Sequence, residues 1–437
     1  MLSKTSLVIS QDKPSSRHRD SDQSLGEYSK MNPLDYDIAI VGGGIVGLTF
    51  ACALKNAGLK IALIEARPPE LGLSQRRSYA ITLLSGQIFS GLGVWDEILP
   101  QITTFRQIRL ADADYSEVVT LLPDDLGANE LGYVAEHQVL LKALQTELEG
   151  AATVSWLCPA EVVGVDYQSD RVEVTISADD TQHKITAALL VAADGSRSRI
   201  RHKAGIRTQG WAYWQSCVTA VIQPEQPHQN IAREHFWSSG PFASLPLSDN
   251  RYQIVLTAPH DQAKALLEMD EQEFLAELDR RYDRELGTLK LLGDRVLFPV
   301  QLMHSTCYSR SRLVLIGDAA HSCHPVGGQG LNLGIRDAAA LAQVLQTARE
   351  QGEDIGQIQV LRRYERWRRL ENWLILGFTD ALNRCFSNRW SPIVVIRHWG
   401  LWIMRRTGFL RYLALRLMTG LTGRSPILSN HRARNSF

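Results

Sequence analysis

The chain has 437 residues, more than one hydrophobic core normally holds, and its length predicts two or three packed units. Its 47 basic and 47 acidic residues balance, so bulk charge gives no reason to expect a nucleic-acid partner. The six cysteines are scattered without a Cys-x-x-Cys pair, which predicts buried thiols in a reducing compartment and no metal site.

Residues 1–33 are rich in serine and charge and lack the apolar core of a secretory signal. We therefore expect a disordered N-terminal tail and a cytoplasmic protein that is not secreted. Translation that begins at Met31 rather than Met1 is an alternative account of the same segment.

A dinucleotide fingerprint follows this tail. Tyr36–Val41 has the composition of a buried strand and leads directly into the pattern Gly-x-Gly-x-x-Gly. In this pattern Gly42 permits a tight turn, Gly44 lets a pyrophosphate approach the backbone, and Gly47 lets the next helix pack closely on the strand. The segment predicts a nucleotide site at the start of a helix.

A second strand, Lys60–Ile64, ends at Glu65, about 20 residues beyond the fingerprint. A carboxylate at this position binds the hydroxyl pair of a ribose and repels a 2′-phosphate. The site is thus typical of an adenine dinucleotide without that phosphate.

The segment Leu189–Arg201 contains a third apolar strand, which ends at Asp194-Gly195 and leads into a cluster of serines and arginines. A plain Asp-Gly turn is the simplest interpretation of this segment in isolation. A cofactor contact becomes the better interpretation in combination with the fingerprint and the segment described next.

The segment Leu313–Asp337 predicts a strand, a turn, a glycine-lined loop and a helix that begins near Leu331. Asp318 follows the strand, at the sheet edge where open α/β sheets bind ligands. Three glycines at 327, 328 and 330 leave backbone N–H groups uncovered, and the helix adds the positive end of its dipole. An electron-rich ring edge or an oxyanion would bind well there.

The carboxyl end is basic and rich in tryptophan. From residue 361 onward, the chain has 15 arginines and 3 acidic residues, a net charge of 15 − 3 = +12, which leaves −12 for the rest of the chain. Helical periodicity predicts an apolar stripe formed by Trp367, Leu370, Trp373, Leu374, Gly377, Phe378, Ala381, Leu382, Cys385 and Phe386. Two further helices, at 393–401 and 409–417, combine arginines with aromatic residues, which predicts peripheral attachment to an anionic membrane. Packing of all three helices on the nucleotide-binding domain is the alternative, and it is the preferred interpretation for the first of them.

The three cofactor segments occur in the same order in class A flavoprotein aromatic hydroxylases, which this chain resembles. Within that class, His324–Gly334 and Asp337 match the signature of the UbiH-type hydroxylases of ubiquinone biosynthesis. Phe236–Leu247 resembles the family pattern F-x-x-x-G-P-x-A-x-L-P-L, and Tyr213 and Gln215 match its Tyr-x-Gln element. The resemblance covers residues 34–425.

The fold that the resemblance implies is α/β. It combines a Rossmann-like FAD-binding domain, similar to that of para-hydroxybenzoate hydroxylase, with an inserted antiparallel β-sheet substrate domain and a C-terminal helical region. The FAD-binding domain would comprise residues 34–100, 130–206 and 295–350. The substrate domain would comprise residues 101–129 and 207–294, and the helical region residues 351–437.

The resemblance implies tightly but non-covalently bound FAD, with NAD(P)H as a transient co-substrate. The cofactor-binding positions that it carries over are Gly42, Gly44, Gly47, Glu65, Arg77, Gln138, Asp194, Gly195, Asp318, Gly330 and Asn332, with Arg76 as a rival to Arg77. Asp318 would bind the ribityl chain, and Glu65 the adenosine ribose.

The catalytic positions that the resemblance implies are Pro325, Gly328, Gln329 and Gly330, which would face the reactive edge of the flavin. Tyr213, Phe236, Leu245 and Pro246 would line the substrate site. A phenolic substrate needs a base or a polarising hydrogen bond, for which His304, His321, His324 and Tyr213 are candidates. A structural role is the alternative for each of these four.

The implied reaction is NAD(P)H- and O2-dependent hydroxylation of the aromatic ring of a lipid-soluble phenol or quinone precursor, through a flavin hydroperoxide. Epoxidation or isoprenoid reduction of another hydrophobic substrate is an alternative, as is a non-catalytic flavin protein within a biosynthetic complex. The sequence leaves open the ring position, the choice between NADH, NADPH and a partner electron donor, and the oligomeric state.

Overall fold

The computed structural model describes residues 34–68, 73, 77–179 and 181–434, so the expectations for residues 1–33 and for Arg76 lie outside the described residues. The strands are β1 (Tyr36–Val41), β2 (Ile61–Ile64), β3 (Ser78–Ile81), β4 (Thr103–Phe105), β5 (Gln107–Asp112), β6 (Tyr115–Leu121), β7 (Gly132–Glu136), β8 (Val154–Leu157), β9 (Glu161–Tyr167), β10 (Val172–Ala178), β11 (Thr181–Ala192), β12 (Thr208–Pro224), β13 (Ile231–Trp237), β14 (Gly240–Leu247), β15 (Arg251–Pro259), β16 (Leu289–Ser305), β17 (Ser309–Arg310), β18 (Leu313–Leu315) and β19 (His321–Ser322). The helices are α1 (Ile45–Leu54), α2 (Leu83–Leu92), α3 (Trp95–Ile98), α4 (His137–Leu148), α5 (Arg199–Lys203), α6 (His260–Glu268), α7 (Glu271–Arg281), α8 (Gln329–Glu350), α9 (Ile358–Phe386), α10 (Ser391–Arg406) and α11 (Gly408–Met418).

The first sheet is mainly parallel, with strand order β17-β18-β11-β1-β2-β8. The four pairs from β18 to β8 are parallel, whereas β17 and the β9-β10 pair are joined in antiparallel fashion. The central residues of β1 and the carboxyl-terminal residues Leu189–Ala192 of β11 are fully buried, as expected for strands covered on both faces. Because the carboxyl ends of parallel strands meet at one edge, the loops after β1, β11 and β18 come together.

The second sheet has strand order β19-β16-β12-β15-β14-β13-β5-β6 and is antiparallel except for the β13-β5 pair. Residues alternate between its two faces. One face packs on α6 and α7 around Phe242, Phe274 and Tyr282, while the other turns toward the loop at residues 325–330.

A third, small sheet has strand order β3-β7-β4. Strand β4 pairs with β7, which also pairs with β3, so residues 103–105 share a sheet with strands that precede and follow the predicted 101–129 segment. Strand β16 crosses the predicted domain boundary between residues 294 and 295. The division of the chain into domains stays a prediction.

Helix α9 buries the ends of the predicted apolar stripe, Trp367 and Phe386, but not its middle. Leu370, Trp373 and Leu374 are 65%, 60% and 52% exposed, while polar Arg368 and Asn372 are buried. The helix turns these two toward a buried carboxylate at Asp337, because pairing charged and amide groups inside the protein outweighs burial of the apolar stripe.

Helices α10 and α11 also carry exposed apolar side chains. Those at least half exposed in the two helices are Val395, Ile396, Trp399, Phe409 and Leu413, and Trp390, 66% exposed, precedes α10. In the part of the chain that the structure describes, no helix combines the length and apolarity needed to span a bilayer.

Candidate active site

The fingerprint loop has the packing that the three glycines predict. Gly42 has φ +112°, and a Cβ built on it would lie 2.4 Å from the carbonyl oxygen of Ala193. A Cβ on Gly47 would lie 2.0 Å from the carbonyl oxygen of Gly42. At Gly44, by contrast, a Cβ would meet no atom of the described residues within 4 Å. Two glycines thus serve close packing, and the third leaves open space at the start of α1, which has no side-chain cap.

Glu65 lies beside this loop. Its Oε2 accepts a 2.6 Å hydrogen bond from the backbone N–H of Gly43, and its Oε1 accepts a 2.9 Å hydrogen bond from the backbone N–H of Arg67. The carboxylate is therefore fixed at the end of β2, where a ribose next to the Gly44 space would meet it.

Asp194 and Gly195 adjoin the same loop from the end of β11. The Asp194 Oδ2 accepts from the N–H of Ile200 at 3.2 Å, while its Oδ1 is buried without a hydrogen-bond partner among the described residues. Burial raises the pKa of this carboxyl group. Arg201 then links the segment to the end of β18 by donating to the carbonyl of Ala319 at 2.8 Å. The three predicted cofactor segments therefore form one crevice.

Asp318 opens into this crevice from the 3₁₀ turn Gly317–Ala319. Desolvation raises the pKa of its carboxyl group, although the charges of His321 and Arg77 oppose the rise. Arg77 and Asp318, 241 positions apart in sequence, are thus close enough to interact. The side chain of Arg77 is exposed, and its carbonyl accepts from the N–H of His137 at 2.7 Å.

Gln138 is exposed at the start of α4 and donates to Glu136 Oε2 at 2.9 Å. The residues next to it that contact the Arg77 region are Tyr79 and His137, whose Oη and Nδ1 lie 3.2 Å apart. The charge of Arg77 influences both of these groups. Sequence reasoning missed Tyr79 and His137 because neither belongs to a glycine motif.

The loop at residues 325–330 begins at Pro325, whose carbonyl accepts from the N–H of Gly328 at 2.9 Å. Gly327 and Gly328 have φ +71° and +61°, a left-handed conformation that favours glycine. Helix α8 then begins at Gln329, two residues before the predicted start, and no side chain caps it. The N–H groups of its first turn, which includes Gly330, therefore have no partner within the helix.

The side chains of Gln329 and Asn332 hold the loop in place. Gln329 Nε2 donates to the carbonyls of Gly327 at 2.9 Å and Met418 at 3.1 Å. Asn332 Nδ2 donates to the carbonyls of Ala80 at 2.7 Å and Gly328 at 2.8 Å. These amide groups are buried against protein, so any cofactor contact by either residue would come from its backbone.

Beneath the crevice, Asp337 anchors a buried charged network. Its Oδ2 accepts from His321 Nε2 at 2.6 Å and from the N–H of Gly317 at 3.1 Å. Its Oδ1 accepts from Arg368 Nε at 2.8 Å and from Asn372 Nδ2 at 3.0 Å. Burial opposes ionisation, but the charges of His321 and Arg368 outweigh it and hold the Asp337 pKa at about 2. The network fixes the turn that carries Asp318.

On the second sheet, Phe236 and Leu245 lie on the face that turns toward the loop, in one apolar cluster with Val326. Phe236 also stacks on Phe386 of α9 with ring centroids 3.9 Å apart. Pro246 alternates onto the opposite face, where its cross-strand neighbour is Tyr252. Leu245 and Pro246 therefore do not line the same surface, because neighbouring residues of a regular strand point to opposite sides.

The four candidate bases differ in surroundings. His324 is fully buried, and desolvation lowers its pKa to about 3. Desolvation also lowers the pKa of His304 to about 4, and His304 lines a separate cleft of about 560 Å³ with Arg366 and Arg369. His321 is bound to Asp337, as described above.

The fourth candidate, Tyr213, donates its hydroxyl to Asp380 Oδ1 at 2.6 Å, and its ring meets that of His324 edge-on at 5.1 Å. Burial raises the Tyr213 pKa above its ordinary value. The neighbouring Gln215 accepts from Asn383 at 2.9 Å, so the Tyr-x-Gln element joins β12 to α9.

Comparison with known proteins decides the family. A model of the FAD binding domain family matches residues 35–379. The uncharacterized protein slr1300 of Synechocystis sp. is 50% identical over 394 residues, which cover 90% of this chain and 95% of that protein. The ubiquinone hydroxylase UbiL of Rhodospirillum rubrum is 36% identical over 393 residues, which cover 89% of this chain and 91% of UbiL.

The chain belongs to the UbiH-type family of FAD-dependent aromatic hydroxylases. The hydroxylase is thus an FAD-dependent monooxygenase, and the prediction of FAD is confirmed. The crystal structure of p-nitrophenol 4-monooxygenase PnpA from Pseudomonas putida aligns with a TM-score of 0.74 at 20% identity and covers 89% of this chain and 98% of PnpA. This likeness confirms the predicted fold class.

The crevice of the hydroxylase fits FAD. The space beside Gly44 would hold the pyrophosphate, Glu65 the adenosine ribose, and Asp318 the ribityl chain. The uncapped start of α8 would offer backbone N–H groups to the electron-rich edge of a bound isoalloxazine. These individual assignments stay predictions.

Proposed function

We propose that the hydroxylase uses NAD(P)H and O2 to hydroxylate the aromatic ring of a prenylated quinone precursor. One observation carries this proposal: the glycine loop at residues 325–330 lies against a largely apolar face of the second sheet, formed around Phe236 and Leu245. An aromatic ring held between loop and sheet would meet the flavin edge while water is excluded. The relative UbiL, named as a ubiquinone hydroxylase, supports a quinone-type substrate.

Bound FAD would supply the redox chemistry, accepting a hydride and presenting activated oxygen. The protein would supply orientation and hydrogen-bond donors. The N–H groups at the start of α8 stabilise negative charge, because the helix dipole places its positive end there.

A lipid-soluble substrate also suggests a position at a membrane. Ile396 and Trp399 of α10 and Phe409 of α11 are exposed, and α10 also carries the exposed Arg405 and Arg406. This composition is suited to an interface of anionic lipid. Membrane attachment through these helices is part of the proposal.

The function is tested by reducing the purified holoenzyme anaerobically with NADH or NADPH and then admitting O2 with a set of prenylated phenols. Flavin absorbance and product mass are recorded together. We expect flavin reduction followed by a mass gain of one oxygen on one phenol. Flavin that neither nucleotide reduces, or reoxidation without oxygen insertion into any phenol, would contradict the proposal.

Membrane attachment is tested by sedimentation with anionic phospholipid vesicles. The double variant Trp399→Ser/Phe409→Ser should lose most binding, because both side chains are at least 64% exposed and available for insertion. Leu292→Ser, at a 36% exposed position on β16, serves as the matched control. Equal sedimentation of all three proteins would contradict this part of the proposal.

A further inference from the structure

Glu234 is a carboxyl group on an otherwise apolar surface. It lies on β13 between Ala232 and Phe236, which share its face of the sheet by alternation. Its direct neighbours across the strand pairs are Leu110 on β5 and Ala243 on β14. This is the face that carries Leu245 and packs against Val326 of the glycine loop.

The carboxyl group reaches the loop itself. Val326 of the loop packs in one cluster with Ala232 and Phe236, the residues that flank Glu234 on its face of β13, and the N–H of Gly327 is close enough to favour the charged form of the carboxyl group. Glu234 therefore lies beside the segment expected to face the isoalloxazine. The Oε1 atom is shielded from solvent and has no hydrogen-bond partner among the described residues. Burial raises the Glu234 pKa to about 8, although the nearby N–H of Gly327 opposes the rise.

An unpartnered buried carboxyl oxygen costs free energy, so its presence requires an explanation. Arg233 and His235, its neighbours in sequence, point to the other face: Arg233 pairs with Glu285, and His235 contacts the carbonyl of Arg281 at 3.4 Å. No cation of the described chain is paired with Glu234 in an ion pair. The orphan oxygen is instead available to a polar group of a ligand between sheet and loop.

We propose that Glu234 is a catalytic residue that binds the phenolic hydroxyl of the substrate and accepts its proton. This inference rests on the proposed function and names the base which that reaction needs. The four candidates from the sequence are less suitable: His321 and Tyr213 are engaged by Asp337 and Asp380, His304 lines a separate cleft, and buried His324 resists protonation.

Glu234 takes the phenolic proton, and the electron pair of that O–H bond flows into the ring as a ring carbon forms its bond to one oxygen atom of O2. That carbon then loses its own proton to solvent, which restores aromaticity, and the original phenolic oxygen regains a proton from solvent. The O–O bond breaks as the first oxygen bonds to the ring and becomes a hydroxyl with one proton from solvent. The second oxygen leaves as water, with the proton held by Glu234 and the hydrogen supplied by NAD(P)H. Overall, NAD(P)H is oxidised by two electrons, the ring by two, and O2 is reduced by four.

The pH dependence that Glu234 would cause depends on which neighbouring groups titrate in the same pH range. The titratable groups on the elements around Glu234 include Tyr213 and Cys217 on β12, Asp112 on β5, His324 before the loop, and Cys385 on α9. Asp380 of α9 accepts the Tyr213 hydroxyl and pairs with Arg384, and His398 of α10 contacts Asp112 at 3.4 Å. Burial raises the pKa of Cys217 to about 12 and raises those of Tyr213 and Cys385, while the His324 pKa falls to about 3. Asp112 is ion-paired with Arg397 at 2.6 Å. Between pH 6 and 9, Glu234 is therefore expected to dominate the profile.

The test compares the holoenzyme with Glu234→Gln, Glu234→Asp and Cys217→Ser, using the phenol that the parent converts. A base must be deprotonated, so the parent should gain kcat/KM as pH rises toward about 9. Glu234→Gln should lose about 10²–10⁴-fold in hydroxylation and lose this pH dependence. Glu234→Asp should recover part of the rate, and Cys217→Ser should keep the parent profile. FAD content and anaerobic reduction by NAD(P)H should stay unchanged in all variants.

Two failures are distinguishable. If the parent converts no phenol although its flavin is reduced, the proposed function fails and the role of Glu234 fails with it. If the parent converts a phenol and Glu234→Gln does so within twofold and with the same pH profile, only the role of Glu234 is overturned.

Discussion

Two buried carboxyl groups near the cofactor crevice show opposite behaviour. Asp337 accepts hydrogen bonds from four groups, two of them on His321 and Arg368, and its pKa is held at about 2. Glu234 has one oxygen without a hydrogen-bond partner among the described residues, and burial raises its pKa to about 8. Both side chains carry a carboxyl group, so the opposite shifts of their pKa values come from the groups that surround each one.

The difference separates a structural carboxylate from a candidate reactive one. A fully paired carboxylate stays ionised and fixes the elements that bind it, here the Gly317 turn and helices α8 and α9. A carboxyl group without a cation titrates near neutral pH and can exchange a proton with a ligand. Position within one molecule thus assigns different roles to two acids.

The largest expected effect is that of Asp337→Asn. The change leaves Arg368 buried without its carboxylate partner and should lower the free energy of unfolding by about 3–5 kcal/mol. Urea unfolding followed by circular dichroism measures this loss. A loss below about 1 kcal/mol, the range expected for an exposed pair, would show that Asp337 does not stabilise the fold as a buried ion-pair partner.

The same network predicts that the free energy of unfolding falls at acidic pH. The Asp337 pKa is lower in the folded protein than its ordinary value, so its contribution is present above pH 4 and is lost as pH falls toward about 2. The slope of unfolding free energy against pH in this window should be smaller in Asp337→Asn than in the parent. Equal slopes in the parent and in Asp337→Asn would show that other carboxyl groups cause the loss of stability at acidic pH.

Asp318 provides the intermediate case, since it opens into the crevice and has a raised pKa. If it binds the ribityl chain, Asp318→Ala should weaken FAD binding about 10–100-fold, the value of one charge-assisted hydrogen bond of about 1.5–3 kcal/mol. Flavin fluorescence titration measures the affinity, and circular dichroism should stay near that of the parent. Unchanged flavin occupancy would remove this role.

The stability effect of Glu234→Gln should be smaller and of opposite sign. The Glu234 pKa is higher in the folded protein than its ordinary value of 4.5, so the parent loses stability as pH rises through about 8. The neutral amide should avoid this loss, making the variant more stable by about 1–2 kcal/mol at pH 9. A parent that is equally stable at pH 6 and pH 9 would argue against a buried, unpaired Glu234.

The smallest effect is expected for Glu371→Gln. Glu371 is the outer partner of Arg368, with a side chain 20% exposed, whereas Asp337 is fully buried. Its removal should cost at most about 1 kcal/mol. A loss as large as that of Asp337→Asn would mean that the outer pair, rather than the buried one, holds Arg368.

Much of the crevice could be predicted because its segments are local. Gly42, Gly47, Gly327 and Gly328 occupy positions where a side chain would clash or where φ is positive, and such requirements leave a mark in the sequence. The strands that carry Asp194 and Asp318 are short apolar runs ending in a turn, which is also a local pattern.

The partners of these residues could not be predicted, because they come from distant elements. Arg368 and Asn372 reach Asp337 from a helix whose apolar periodicity indicated burial of another side, and Leu370 and Trp373 of that side are exposed. Glu234 was overlooked since a single acid in a strand has no motif. Only the strand register turns it toward Gly327.

The sequence by itself determined the cofactor crevice, the order of its three segments and the family, because backbone conformation and strand endings depend on neighbouring residues. The tertiary structure alone decided which carboxyl groups are paired, which side of α9 is buried and which face of β13 meets the loop. These depend on contacts between residues far apart in the chain, and the free energy of a buried charge is set by the partners that surround it.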